Sequence, residues 1–289
     1  AILAEIRLQL PELLGNYGSS QAILDQKMGW AIQHDPHRLV ALNGASQAFP
    51  WIATRFSDRS ALIPSPTFGE WGKAFPDART YADLPPAKPD LRGQLGDTDV
   101  VVVVNPNNPT GTTIPADALV AAMAESPERL FFVDESFIDF SDEDSIIEAV
   151  SERGLRNVVV LKSLSKCLGV PGVRLGFAFS LDEALLDDLR DSLPVWNMNS
   201  IAEKYLELVL KNRKAIEESF VRTAEDRARG AADGKAVGML VVADVVPGSP
   251  AEEALTPGDV LIEVGGQLVL GFAELDAVPE GATWVEWMV

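Results

Sequence analysis

Lys166 stands in the run KSLSKCLGVPGVRLGF, residues 162–177, directly after a continuous apolar stretch. A lysine at a strand end inside an α/β sheet is stripped of part of its water. Desolvation favours the neutral amine, the form that attacks an aldehyde. Ser163 and Ser165 flank it with hydroxyls able to bind phosphate oxygens, and Arg174 follows downstream. A guanidinium there can grip the same phosphate through paired charge-assisted hydrogen bonds. The competing reading of this run is a surface Ser/Lys loop.

Four further runs carry chemistry of the same kind. In VVVVNPNNPTGTTIP, residues 101–115, a β-branched strand runs into a doubled Asn-Pro turn. Ligands of open α/β sheets bind at that end of the strands, and Asn108, stiffened by Pro109, offers an amide donor to a ring oxygen. A plain β-to-α turn is the alternative. In FFVDESFIDF, residues 131–140, Asp134 ends another apolar strand. A buried carboxylate requires a partner, and a pyridinium nitrogen is one that would keep a ring electron-withdrawing; a turn cap is the other reading. LNGASQAF, residues 42–49, is a Gly-Ala-Ser turn opening a helix, where backbone N–H groups and a hydroxyl meet an anion. SPTFGEW, residues 65–71, places Phe68 and Trp71 just past a strand. Either ring can stack on a flat ligand or belong to the core.

The elements that must position these groups alternate. Apolar β-branched runs at residues 61–68, 99–104, 129–135 and 157–163 read as strands covered on both faces, as in a parallel sheet. Residues 39–44 add a short apolar stretch. Helical patterns intervene at SQAFPWIATRF, PADALVAAMAE and SDEDSIIEAVSERG, and residues 1–34 read as helical with a break near LGNYG. A single long polar helix is expected over residues 200–229. The order implies an α/β fold, a three-layer doubly wound and mostly parallel sheet, over residues 1–229. Residues 230–237 read as a linker, and 238–289 as a small β-rich domain with PGSP, TPGD and GG turns.

Bulk properties narrow the partners. The 289 residues are 47% hydrophobic and 23% charged, enough to bury a core, and the net charge of −19 repels polyanions. Nucleic acid and anionic membranes are therefore not expected as partners. Cys167 is the one cysteine, so an intrachain disulfide is impossible. His34 and His37 sit in a polar stretch and read as loop residues rather than metal ligands. No apolar run approaches the ~20 residues of a membrane helix, so a cytoplasmic location is expected. The chain opens on Ala1 without a methionine and reads as a fragment.

Taken together, NPNNPTG, DES-F, SLSK and GVRLG resemble fold type I pyridoxal-phosphate aminotransferases in order and spacing. The similar branch holds histidinol-phosphate aminotransferase and threonine-phosphate decarboxylase, and the resemblance spans about residues 10–225. It implies pyridoxal 5'-phosphate as cofactor and amino transfer from an amino acid to a 2-keto acid. It implies Lys166 as the Schiff-base lysine and proton carrier, Asp134 on the ring nitrogen, Asn108 on the ring oxygen and Phe68 stacked on the ring. Ala45, Ser46, Ser163, Ser165 and Arg174 would hold the phosphate. Tyr17 stands where relatives send a tyrosine into a neighbouring subunit, which implies a homodimer, and Trp196 and Asn199 would face the substrate. Phe137 departs from the usual tyrosine. Decarboxylation of a phosphorylated amino acid is the second reading.

The family's small carboxyl-terminal domain, with its carboxylate-binding arginine, is not recognisable. The run GMLVVADVVPGSPAEEALTPGDVLIEVGGQLV, residues 238–269, instead resembles part of a bacterial protease-type PDZ domain. That implies a carboxyl-terminal peptide as a partner, and a third reading in which an inactive remnant serves as a peptide-binding module.

Overall fold

Seven strands build one sheet: β1 (Leu39–Leu42), β2 (Ala61–Ser65), β3 (Arg79–Ala82), β4 (Val100–Val104), β5 (Leu130–Asp134), β6 (Val158–Ser163) and β7 (Gly176–Ser180). They belong to a computed structural model that describes residues 2–85, 89 and 91–232, with strand segments at 240–241, 260–261, 263–264 and 267–268. The strand order is β1-β7-β6-β5-β4-β2-β3. Strands β2 to β6 run parallel where they pair. Only β7 is reversed, antiparallel to both β6 and β1.

Every residue of β4 is buried, as an unbroken β-branched run requires. Alternate side chains go to opposite faces. Val101 and Val103 join one apolar cluster, with Leu24 and Met28 of α2 (Gln21–Ile32), Leu119 and Met123 of α5 (Ala116–Ala124), and Tyr205 and Leu206 of α9 (Ser200–Lys211). Val100, Val102 and Val104 join the other, with Trp51 and Ile52 of α3 (Phe49–Phe56), Trp71 of α4 (Gly69–Ala74) and Leu186 of α8 (Glu183–Ser192). The sheet is thus sandwiched between two helical layers, the three-layer α/β fold expected. The remaining helices are α1 (Ile2–Gly15), α6 (Ile147–Arg153), α7 (Leu164–Cys167) and α10 (Arg213–Ala232).

Three features depart from the sequence pattern. The expected single helix over residues 200–229 is two, α9 and α10, separated at Asn212. The Asn212 side-chain amide donates to the Leu208 carbonyl at 2.8 Å, taking an acceptor of the last turn. Helix α10 then runs on to Ala232, into the stretch read as a linker. Strand β3 was invisible because only Tyr81 of its four residues is buried. Strand β7 was missed because its first two residues, Gly176 and Phe177, close the lysine-bearing run. Beyond these, segments 240–241 and 260–261 pair antiparallel, as do 263–264 and 267–268. The PGSP, TPGD and GG turns lie outside the described residues.

A buried polar tie fixes the edge strand β1. Asp25 of α2 accepts the Ala41 N–H at 2.7 Å and the Arg190 Nε–H at 2.9 Å, and Arg190 also donates to the Leu39 carbonyl at 2.8 Å. Burial raises the Asp25 pKa, and its hydrogen bonds to Ala41, Arg190 and Gln21 offset only part of that. Arg190→Ala would leave a buried carboxylate without its cation, a loss of about 3 kcal/mol. The denaturation midpoint in urea should fall accordingly at neutral pH, and less in acid, where the carboxyl is protonated.

Candidate active site

The carboxyl ends of β1, β2, β4, β5 and β6 all point to one edge of the sheet, because these strands share one direction. Reversed β7 begins at that same edge. Its direction is what brings Arg174, two residues before the strand, beside residues that follow the other strands.

A cavity of about 210 Å³ opens there. It is lined by Ala45, Ser46 and Phe49 after β1, Phe68 after β2, Val104 and Asn108 from β4 onward, Asp134, Ser136 and Phe137 from β5, Ser163 and Lys166 from β6, and Arg174. Arg174 Nη2 donates to Ser46 Oγ at 2.7 Å. That approach depends on Gly44, whose φ is +83°: a Cβ there would lie 2.6 Å from Arg174 Nη2. Gly176 is equally constrained, since its Cβ would lie 2.5 Å from the Ala45 nitrogen. Arg174, Ser46, Ser163 and Ala45 thus line one cavity with a guanidinium, two hydroxyls and the turn after Gly44.

The doubled Asn-Pro turn divides its labour. Asn105 locks the loop by donating to the Ile114 carbonyl at 3.0 Å and accepting the Ile114 N–H at 2.9 Å. Asn107 donates to the Pro66 carbonyl at 2.8 Å and accepts from Thr67 at 2.9 Å. Asn108 alone of the three lines the cavity. The Asn105–Pro106 and Asn108–Pro109 bonds are both cis.

Asp134 is the acidic group of the cavity. Its Oδ1 accepts the Ser136 N–H at 3.0 Å. Burial raises its pKa, and Ser136, Trp71 and the charge of Lys166 offset only part of the rise. The Lys166 Nζ sits 5.6 Å from the centre of the Phe137 ring. The neighbouring thiol is no rival nucleophile: burial foremost, with Asp139 adding to it, pushes Cys167 up to about 12.

Eight of the residues singled out from sequence therefore converge: Ala45, Ser46, Phe68, Asn108, Asp134, Ser163, Lys166 and Arg174. Five do not line the cavity, one of them Trp71, which belongs to the core. Ser165 is buried, and its hydroxyl accepts the Leu175 N–H at 2.8 Å and donates to the Leu175 carbonyl at 3.2 Å. It staples α7, which carries Lys166, to the chain that carries Arg174. Asn199 caps α9 by accepting the Ala202 N–H at 2.8 Å, while its amide donates to Asn43 and to the Val173 carbonyl. Tyr17 and Trp196 are exposed and stack on each other with centroids 4.1 Å apart. The cavity also uses Phe49, Val104 and Ser136, to which the sequence pattern gave no role. For Ser136 a signal existed, since it lies two residues after Asp134, the spacing at which a carboxylate accepts a backbone N–H.

Residues 19–234 match the profile of aminotransferase class I and II, and residues 241–280 match that of a PDZ domain. The chain belongs to the class I and II aminotransferase family. It is 33% identical over 225 residues to the CMP-5'-(3-aminopropyl)phosphonate synthase of Streptomyces rubellomurinus, covering 74% of this chain and 35% of that protein. It is 34% identical over 178 residues to the histidinol-phosphate aminotransferase of Chlorobium chlorochromatii, covering 58% and 48%. The L-serine phosphate decarboxylase of Sulfurospirillum multivorans is 29% identical over 242 residues, covering 74% and 57%. The match thus spans between about a third and three fifths of these relatives' lengths. Among solved structures, the histidinol-phosphate aminotransferase of Sinorhizobium meliloti in complex with pyridoxal-5'-phosphate superposes with a TM-score of 0.68 at 19% identity, covering 83% of this chain and 68% of that one.

The raised pKa of Asp134 has a stability consequence. A carboxyl raised in the folded state contributes fully below its ordinary value of 3.8, and the contribution is lost as pH rises through the raised value. Asp134→Asn removes that loss. In ligand-free protein its urea midpoint should gain on the unsubstituted chain as pH is raised from about 4 to about 8.

Proposed function

We propose that this chain binds pyridoxal 5'-phosphate in the cavity and moves an amino group between an amino acid and a 2-keto acid. One observation carries the reading: an amine, a buried carboxylate and a guanidinium with hydroxyls line a single cavity at the strand ends. A buried carboxylate with a raised pKa fits a cationic ring nitrogen, because such a partner returns the electrostatic stabilisation that burial removed. When bound, the cofactor supplies a carbonyl that condenses with amines and a ring that withdraws electrons.

The chain's own residues do the rest. Lys166 Nζ would hold the cofactor by its carbonyl and, when free, would carry the proton between the substrate α-carbon and the product side. Asp134 would keep the ring nitrogen protonated. The Asn108 amide would donate to the ring oxygen, and Phe68 would stack on the ring. Ser46, Ser163, Arg174 and the Ala45 amide would hold the phosphate, with Ser165 and Gly44 placing them. Phe137 cannot donate to the ring oxygen as a tyrosine would, so Asn108 carries that contact without its help. Residues 1–229 form the catalytic domain, followed by a junction and a PDZ-like domain from about residue 238.

Lys166→Ala should abolish the visible absorbance that appears when pyridoxal 5'-phosphate is added to the purified chain, together with any amino transfer to a keto acid. Retention of the visible band in that variant would refute the assignment of Lys166.

The likeness to the L-serine phosphate decarboxylase supports a second reading on the same site, loss of carbon dioxide from a phosphorylated amino acid. Carbon dioxide released without any keto acid present would favour it over amino transfer.

Tyr17 is exposed, and the reading extends to a homodimer in which it reaches a second copy's phosphate corner. Sedimentation should then give twice the chain mass. Mixing Lys166→Ala with Tyr17→Phe chains should produce dimers in which one site regains full affinity for the cofactor; a monomer at micromolar concentration would rule this out. No helix among the described residues is long and apolar enough to cross a membrane, and the reading places the protein in the cytoplasm.

A further inference from the structure

Trp71 is fully buried, yet its indole N–H completes no hydrogen bond. Buried donors are nearly always paired, so this indole marks a place where an acceptor should lie within reach. Its surroundings identify the acceptor. Trp71 packs against Phe49 with centroids 4.8 Å apart and against Phe132 with centroids 6.0 Å apart. Phe49 lines the cavity. Phe132 and Asp134, two apart on β5, project from the same face of the sheet. The Asp134 carboxylate is close enough to Trp71 for the indole to favour its ionised form. That carboxylate accepts a backbone N–H on Oδ1 and has lone pairs to spare.

We infer that Trp71 is a positioning residue for Asp134: its indole N–H donates to the carboxylate and steers the charged group into the cavity. The indole is an apolar body with one polar edge, so it can fill the layer between sheet and α3 and still present a donor. A phenylalanine would fill the same layer and present none. The part of this that concerns cofactor affinity rests on the proposed function. The inferred contact needs no cofactor and is tested apart from it. The charged side chains that share the cavity with Asp134 are Lys166 of α7 and Arg174 before β7.

The test follows the Trp71 indole resonance by nitrogen-proton correlation in cofactor-free protein as pH is varied. The resonance should move with the ionisation of a carboxyl, keep moving in Lys166→Ala, and stop moving in Asp134→Asn, whereas that of Trp51, whose indole donates to Asp188 at 2.8 Å, should move in all three. Trp71→Phe should steepen the fall in urea midpoint with rising pH, and weaken pyridoxal 5'-phosphate binding about tenfold, the loss expected for one hydrogen bond to a charged group. Neither effect should add to Asp134→Asn. A Trp71 resonance that ignores pH, or that moves equally in Asp134→Asn, overturns the inference. So does a Trp71→Phe loss of the same size in both backgrounds, which would mean packing alone. If the unsubstituted chain fails to bind the cofactor, the proposed function falls, and the indole titration still decides the role of Trp71.

Discussion

Strands buried on both faces leave no place for polar side chains along their length. The valines of β4 and the apolar residues of β5 and β6 are enclosed by helices on either side. A charged group set among them would lose its hydration with nothing in return. Polar chemistry is therefore confined to the strand ends. Because the strands share a direction, these ends gather at one edge of the sheet. The cavity is where the core runs out.

The single reversed strand completes the arrangement. If β7 ran parallel to its neighbours, the residues before it would enter at the opposite edge, and Arg174 would lie a strand's length from Lys166. Antiparallel pairing of β7 with both β6 and β1 instead carries Arg174 to Ser46 and packs Gly176 against the Ala45 nitrogen. Ser165 reinforces the join by holding both backbone groups of Leu175. Position in the chain and position in the site are reconciled by this short reversal and by two glycines whose missing side chains admit the close contacts.

Electrostatics in the cavity are unbalanced in a telling way. Asp134 is buried with a backbone donor and a neighbouring indole, and Lys166 is close enough to help, yet burial still dominates. Contrast Asp25, which has Arg190 at 2.9 Å, or Glu203, which accepts from Lys27 at 2.5 Å and from Ser19. Each of those two has a cation in contact, although burial still raises Asp25. Among the described residues no cation makes a contact ion pair with Asp134, which lines the cavity.

Much of this was legible in the residues themselves. The β-branched runs announced a covered parallel sheet, and NPNNPTG, DES and SLSK marked which strand ends carried amide, carboxylate and amine. Type and spacing suffice there because each motif is local: a strand and the turn that ends it. What spacing could not convey was direction and contact across the sheet. Strand β7 was concealed because the lysine run takes in its first two residues and leaves only three beyond, and β3 because an exposed edge strand needs no apolar pattern. Ser165 and Asn199 carry the right polar groups for a site, but backbone partners from elsewhere in the fold claim them. The sequence by itself determined the fold class and most of the chemical inventory of the cavity. Only the tertiary structure decided which polar atoms remain free to face it, because that depends on hydrogen bonds between segments far apart in the chain.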